Sequence, residues 1–268
     1  MLALRYLLKH PFHILRNPAG RELLRLFWRY GDKPRYVPTK VKFRHYQLEV
    51  PDPFSWVWQY EDIYLEEFYK FNASTPVPVI YDCGANVGMS IIYLKELYPQ
   101  ARIKAYEAEA VIAGYLTKNL HANGINDVEV VQKAVWKDDA GVWFGEGQAD
   151  DASIYGKGAK KLVPSVRLRD ELAAEKRVDF LKIDIEGAET DVLPDCADVL
   201  DRVQHLFVEF HAYIGQPQAL ATVIGVIEKA GFRYYIDTNQ HRKAPFVNHR
   251  YRNNDVMDLQ LNIYAWRA

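Results

Sequence analysis

The chain has 268 residues, 49% hydrophobic and 26% charged, with a formal net charge of −1 and two cysteines. That length suits one α/β domain with a small extension and argues against two domains of equal size. Two cysteines make no disulfide framework, no apolar run reaches the length of a membrane span, and the N-terminus lacks an uninterrupted apolar stretch with a cleavage site, so a cytoplasmic protein that is not secreted by that route is expected.

Charge is uneven along the chain. Residues 1–44 hold eleven Lys/Arg against Glu22 and Asp32, a net of +9 that leaves −10 for the remainder. Residues 1–50 therefore read as a basic N-terminal extension and 51–268 as the main domain. Within the extension, RELLRLFWRYG places Leu23, Leu24, Phe27 and Trp28 on one helical face and Arg21, Arg25 and Arg29 on another. Three uses of such a basic amphipathic helix stay open: docking on the main domain, peripheral attachment to a membrane surface, or homo-oligomerisation. Short β-like runs at Val41–Phe43 and Tyr46–Val50 predict a hairpin. Trp56, Trp58 and Tyr60 then alternate, either as a roof over a ligand or, as is commoner for an aromatic cluster at a junction, as packing.

The stretch VPVIYDCGANVGMSIIYLKELYPQARIKAYE, residues 77–107, organises the rest of the chain. Val77–Tyr81 suits a buried parallel strand, Gly84 and Gly88 permit a tight turn with close backbone approach, and Met89–Leu97 has helical apolar spacing. A second strand, Ile103–Tyr106, ends in Glu107, where a carboxylate can accept hydrogen bonds from both hydroxyls of a ribose lying over the loop. A Walker loop would need Gly-Lys-Ser/Thr and a dinucleotide fingerprint a glycine where Asn86 stands, so no diphosphate cradle is evident. A loop headed by Asp82 suits a ligand with a positive amino group, and S-adenosylmethionine meets that description. Cys83 is explained as a small residue in a tight turn.

Beyond Glu107, Ala110–Asn123 reads as a helix stopped by Gly124, and Val128–Gln132 as a third strand. Ligands of doubly wound sheets lie at the carboxyl ends of strands, so Lys133–Trp136 is the expected adenine wall, with Trp136 either stacking or in the core. Asp138–Asp151 reads as a loop or hairpin and Val163–Leu168 as a short strand. Val178–Asp184 and Leu206–Phe210 are the fourth and fifth core strands, with helices over Ala188–Leu200 and Pro217–Ala230. Phe232–Ile236 and Leu259–Trp266 close the chain, separated by a loop with His241, Arg242, Lys243, His249, Arg250 and Arg252. Alternating strands and helices predict a parallel sheet covered on both faces, with a terminal antiparallel hairpin at one edge.

The ordered set D-C-G-A-N-V-G, then Y-E, then L-x-x-N-L-x-x-N-G at 116–124 and K-I-D-I-E-G-A-E at 182–189 resembles the FkbM family of methyltransferases, over roughly residues 50–268. W-Q-Y-E-D-I-Y-L-E-E-F-Y at 58–69 is similar to the family's lead-in. Ala108 stands where the family usually has a proline. The resemblance implies the class I methyltransferase (Rossmann-like) fold, α/β and doubly wound, with a mostly parallel seven-stranded sheet and an antiparallel edge strand. It also implies S-adenosylmethionine-dependent O-methylation of a hydroxyl on a sugar, glycolipid or secondary metabolite. The cofactor-binding set is then Asp82, Gly84, Ala85, Asn86, Gly88, Glu107, Ala108, Ala134, Val135 and Trp136.

Asp184, Glu186 and Glu189 crowd the end of the fourth strand, and Glu209 and His211 the end of the fifth, so both should face the crevice. Methyl transfer to a hydroxyl needs the acceptor positioned and its proton removed, which makes His211 the best candidate base, with Asp184 and Glu209 beside it. A strand-end histidine held by hydrogen bonds is the plain alternative. A second use of the same groups is a divalent metal bound by Asp184 with Glu209 or His211. Some O-methyltransferases of this fold place metal ligands at these strand ends, but their paired Asp-Asn is absent, so a metal is possible but not favoured and no metal ligand is assigned. Glu189 is expected to start the following helix. A nucleic-acid methyltransferase is disfavoured by the missing D/N-P-P-Y/F motif and the acidic body. A non-catalytic scaffold is disfavoured by the intact glycine loop. The expected partner is a small-molecule or glycan acceptor and no nucleic acid.

Overall fold

The computed structural model describes residues 11–145, 160–238, 242–251 and 254–267. His241, Arg252 and much of the expected 138–151 loop lie outside the described residues. Two helices, α1 (Pro11–Arg16) and α2 (Pro18–Tyr30), precede a hairpin of β1 (Thr39–Phe43) and β2 (Tyr46–Val50), then α3 (Pro53–Tyr60) and one turn of π-helix, Glu61–Leu65. The main domain runs β3 (Val79–Cys83), α4 (Met89–Leu97), β4 (Arg102–Tyr106), α5 (Ala110–Ala122), β5 (Val128–Val131) and β6 (Ala134–Trp136). It continues through β7 (Val142–Gly145), β8 (Lys160–Val163), β9 (Ser165–Arg167), α6 (Leu168–Ala173), β10 (Val178–Ile183), α7 (Glu189–Asp195), β11 (Val203–Tyr213), α8 (Leu220–Lys229), β12 (Arg233–Asp237) and β13 (Met257–Trp266).

Seven strands form one sheet in the order β12-β13-β11-β10-β3-β4-β5. β13 is antiparallel to both neighbours and every other pairing is parallel, so the terminal hairpin supplies the edge and its inner member runs counter to the rest. This is the class I methyltransferase arrangement. Its two faces are covered by different helices because strand side chains alternate. Ile80, Phe180 and Phe207 point to the side of α4, α5 and the N-terminal segment, while Tyr81, Leu181 and Leu206 point to α6, α7 and α8.

Three expectations change. The strand expected over Val163–Leu168 is two: β8 pairs antiparallel with β7 and β9 parallel with β6, and Leu168 already begins α6. The helix expected to reach Leu200 stops at Asp195, just past Pro194 in its last turn. The buried stripe of α2 is Leu23, Leu26, Phe27 and Tyr30, and Trp28 faces outward. Tyr30 fixes that rotation: its hydroxyl accepts from Lys42 N at 2.9 Å and its ring meets Trp56 edge-on at 5.8 Å. Leu23, Leu26 and Phe27 join the same hydrophobic cluster as Ile80, Ile91 and Leu94, so α2 packs on the main domain.

Candidate active site

A cavity of about 760 Å³ opens at the carboxyl ends of β3, β4, β10 and β11. β3 ends in Asp82-Cys83 and hands over to the glycine loop. Gly84 adopts φ 90°, and a Cβ on it would sit 1.8 Å from the Asp184 carbonyl oxygen, so the loop can cross the end of β10 only without a side chain. Asn86, at φ 47°, takes the left-handed conformation that a dinucleotide loop gives to glycine, and asparagine tolerates it.

The loop amides are already used. Gly84 N and Ala85 N donate to Tyr106 O at 3.0 and 2.9 Å, and Asn86 N donates to Glu107 Oε2 at 3.0 Å. They form no anion cradle, which agrees with the missing diphosphate fingerprint. Glu107 Oε1 accepts from Glu109 N at 2.9 Å, so both carboxylate oxygens of this cavity-lining residue are held by backbone and each keeps a lone pair for a further donor. Burial pushes the Glu107 carboxyl up to about 7 against the pull of these two N–H groups. Glu109 Oε2 is buried with no hydrogen-bond partner among the described residues, and Glu109 lines the cavity.

Of the expected cofactor set, Gly84, Ala85, Asn86, Glu107, Ala108, Ala134 and Val135 line the cavity, and Asp82, Gly88 and Trp136 do not. Asp82 is fully buried beneath the loop, where Oδ2 accepts from Ser90 Oγ at 2.5 Å and Oδ1 lies 3.3 Å from Lys182 Nζ. Gly88 caps α4 in the left-handed region and faces α5, with Leu116 Cδ1 only 2.7 Å from where a Cβ would be. Trp136 packs on the opposite hydrophobic cluster, with Lys137 over its ring.

The expected catalytic residues Asp184, Glu209 and His211 all line the cavity, together with Glu186. His211 is buried on β11, its Nδ1 is 3.1 Å from Glu189 Oε1, and its Nε2 lies 3.9 Å from Glu186 Oε2 and 3.8 Å from Glu209 Oε1. Glu189 is more than a helix start. Fully buried, it accepts from Gly187 N at 3.0 Å and Ile185 N at 3.1 Å and fixes the imidazole at the same time. Burial disfavours charge on His211, yet Glu186, Glu189 and Glu209 outweigh it and hold the imidazole well above its usual range. The Glu209 carboxyl is also raised, first by burial and then by Asp184. Glu186 adopts φ 54°, a strained conformation for that residue, and its Oε2 accepts from Tyr213 OH at 3.1 Å.

Lys182, buried mid-strand, donates to Gly84 O at 2.8 Å and lies 3.2 Å from Asp184 Oδ2. Local pattern does not single it out, although a lysine interrupting the apolar run VDFLKI is itself a signal. Asp184, Glu186 and His211 offer one ligand atom each within 4.8 Å of one another, the grouping here that could hold a metal among the described residues. The cavity roof comes from upstream: Arg35, Phe54, Trp58, Asp62 and Tyr69 line it. Trp56 and Tyr60 instead fill the core, because these aromatics lie on α3, where two residues apart means opposite faces.

The Methyltransferase FkbM domain family matches residues 82–234. Methyltransferase 1 of Beauveria bassiana (strain ARSEF 2860) is 25% identical over 205 residues, 66% of this chain and 81% of that protein. Methyltransferase sdnD of Sordaria araneosa is 28% identical over 173 residues, 50% of this chain and 66% of that protein. Among solved structures, the methyltransferase FkbM of Methylobacillus flagellatus KT is similar with a TM-score of 0.49 and 13% identity, over 76% of this chain and 46% of that one. The family match spans more than half of the chain, from the glycine loop through both acidic strand ends, and the chain belongs to the FkbM methyltransferase family.

Proposed function

We propose that the protein is an S-adenosylmethionine-dependent O-methyltransferase whose acceptor is a hydroxyl of a sugar, glycolipid or secondary metabolite. The observation that carries this reading is one crevice with two differently built ends. At one end the aimed carboxylate of Glu107 stands beside the glycine loop; at the other, His211 is buttressed by Glu189 and turned toward Glu186 and Glu209. The lining holds the carboxyl groups of Asp62, Glu107, Glu109, Asp184, Glu186 and Glu209, an environment that favours a cationic ligand over a phosphate-bearing one.

These residues fit the cofactor: Glu107 has acceptor capacity for ribose hydroxyls, Glu109 Oε2 has no donor of its own, and Ala108, Ala134, Val135 and Ile112 give a small apolar wall. When bound, S-adenosylmethionine supplies a methyl group on a sulfonium for in-line displacement. The chain's own groups do the rest. Lys182 and Ser90 hold Asp82 and so stiffen the loop from below. Glu189 fixes the His211 ring with Nε2 toward the cavity, and Nε2 in its neutral form takes the acceptor hydroxyl proton. Asp184 and Glu209 accept hydrogen bonds from the acceptor and orient it. Lys182 lies between Asp82 and Asp184, and His211 Nε2 takes the proton itself, so no step of this chemistry calls on a metal.

Turnover of His211→Ala on a library of hydroxylated acceptors tests the reading. Loss of transfer by ~10²–10⁴-fold at unchanged cofactor affinity is expected for a general base, and wild-type turnover contradicts it.

A further inference from the structure

Two exposed basic and apolar surfaces take no part in the crevice chemistry, yet both grow from segments that wall the crevice. Opposite the buried stripe of α2, Arg21, Arg25, Trp28 and Arg29 share a face, all exposed, and Trp28 is 79% exposed. Leu15, 50% exposed, and the exposed Arg16 precede them at the end of α1. Lys33, Lys40 and Lys42 are exposed as well, while Arg25, Arg35 and Arg44 pair with Glu22, Asp52 and Glu96. The second surface is the segment 242–251 between β12 and β13. There Phe246 is 96% and Val247 80% exposed, among Arg242, Lys243, His249 and Arg250.

Both surfaces are tied to the crevice rim. Phe27, on the inner side of α2, meets Trp58 edge-on at 5.0 Å, and Trp58 lines the cavity. The second segment runs into Tyr251, Asn254 and Met257, which also line it. Large apolar side chains standing among cations are the signature of a membrane-interface contact: the apolar tips enter the headgroup boundary while arginine and lysine meet anionic lipid. A nucleic acid would use the cations but gain nothing from Leu15, Val247 or an outward aliphatic tip. The charge division favours the contact, since residues 1–44 carry +9 against −10 for the rest, and within that rest the stretch 242–251 holds Arg242, Lys243 and Arg250 with no acidic residue.

We propose that Trp28 with its flanking arginines and the Phe246-Val247 tip form a docking surface for an anionic lipid bilayer, which brings the crevice rim to the membrane. The docking does not depend on which reaction the crevice performs.

The test is co-sedimentation of the full chain with phosphatidylcholine vesicles with and without phosphatidylserine. Binding should rise by about tenfold or more with phosphatidylserine, fall as salt is raised, and drop by a comparable factor in the double variant Trp28→Ser/Phe246→Ser. Both side chains are exposed, so the variant should keep the wild-type melting temperature. Absence of binding to the anionic vesicles at low salt overturns the proposal, as does double-variant binding equal to wild type. Retention that survives loss of both tips and is competed by RNA assigns the cations to nucleic acid and also overturns it. So does a wild-type dimer that the double variant abolishes in the absence of vesicles.

Discussion

Glu189 Oε1 accepts from His211 Nδ1 at 3.1 Å, and the same carboxylate accepts from the backbone of Gly187 and Ile185. The turn after β10 and the end of β11 are thereby locked together, and the imidazole is left with one orientation. Glu189→Gln preserves size and replaces the charge. It should lower kcat by about tenfold to a hundredfold with little change in cofactor affinity, and it should move the acidic limb of the turnover profile to lower pH because a carboxylate that raises the His211 pKa is lost. Steady-state kinetics across pH checks this, and an unmoved profile rejects the coupling.

Activity and stability should run in opposite directions with pH. The His211 imidazole sits well above its ordinary value, so its ion pairs contribute stability that is fully present below the unfolded pKa and is lost as pH rises through the folded one. The base form appears over that same alkaline rise. Turnover should therefore climb above neutrality while the melting temperature declines, which parallel kinetic and thermal scans would show.

The Glu107 carboxyl, pushed up to about 7 by burial, holds a proton in part of the free protein near neutrality. Ribose hydroxyls donate to the ionised form, so cofactor binding should release protons and tighten as pH rises toward and past 7. Calorimetry in buffers of different ionisation heat measures the release. Glu107→Ala should lose about 1.5–3 kcal/mol for each charge-assisted hydrogen bond removed.

Lys182 is placed between Asp82 at 3.3 Å and Asp184 at 3.2 Å, with Gly84 O as a further acceptor. Lys182→Met strands buried carboxylate and should cost about 3–5 kcal/mol of stability, read as a lower denaturation midpoint. Wild-type stability in that variant would contradict the role given to this cation.

Much of the main sheet can be read from local pattern. β3, β4, β5 and β10 are short apolar runs closed by polar or glycine residues, and α4 has the length its spacing predicts. Gly84, Asn86 and Glu107 are legible for a similar reason, since loop, strand and acid follow one another within a single βαβ unit. The features that escape local pattern depend on contacts far apart in sequence. β11 extends to Tyr213 because β13 pairs along it, which no window over Leu206–Phe210 reveals. Trp56, Trp58 and Tyr60 alternate like a strand but lie on a helix, so only Trp58 reaches the cavity. Spacing alone puts Trp28 on the buried face of α2 as readily as Leu26 and Tyr30, and the hairpin decides between them. Lys182 within a core strand and Glu189 at a helix start give no hint in sequence of their partners, Asp82 on β3 and His211 on β11, which bury them.

A chelator should leave turnover of the purified enzyme unchanged, because the proposed step needs only His211 Nε2 to take the proton and Asp184 and Glu209 to orient the acceptor. Loss of activity on chelation with recovery on adding a divalent cation would instead make the cluster of Asp184, Glu186 and His211 a metal centre.

The central claim is that one crevice holds the methyl donor at the Glu107 end and the acceptor at the His211 end. A crystal structure with S-adenosylhomocysteine and a hydroxylated acceptor tests it most directly. The predicted result has both ribose hydroxyls on the Glu107 carboxylate, the sulfur facing the acceptor, and the acceptor oxygen within hydrogen-bond reach of His211 Nε2, roughly 2.6–3.2 Å. A ribose held away from Glu107, or an acceptor oxygen remote from His211, Asp184 and Glu209 alike, would contradict it.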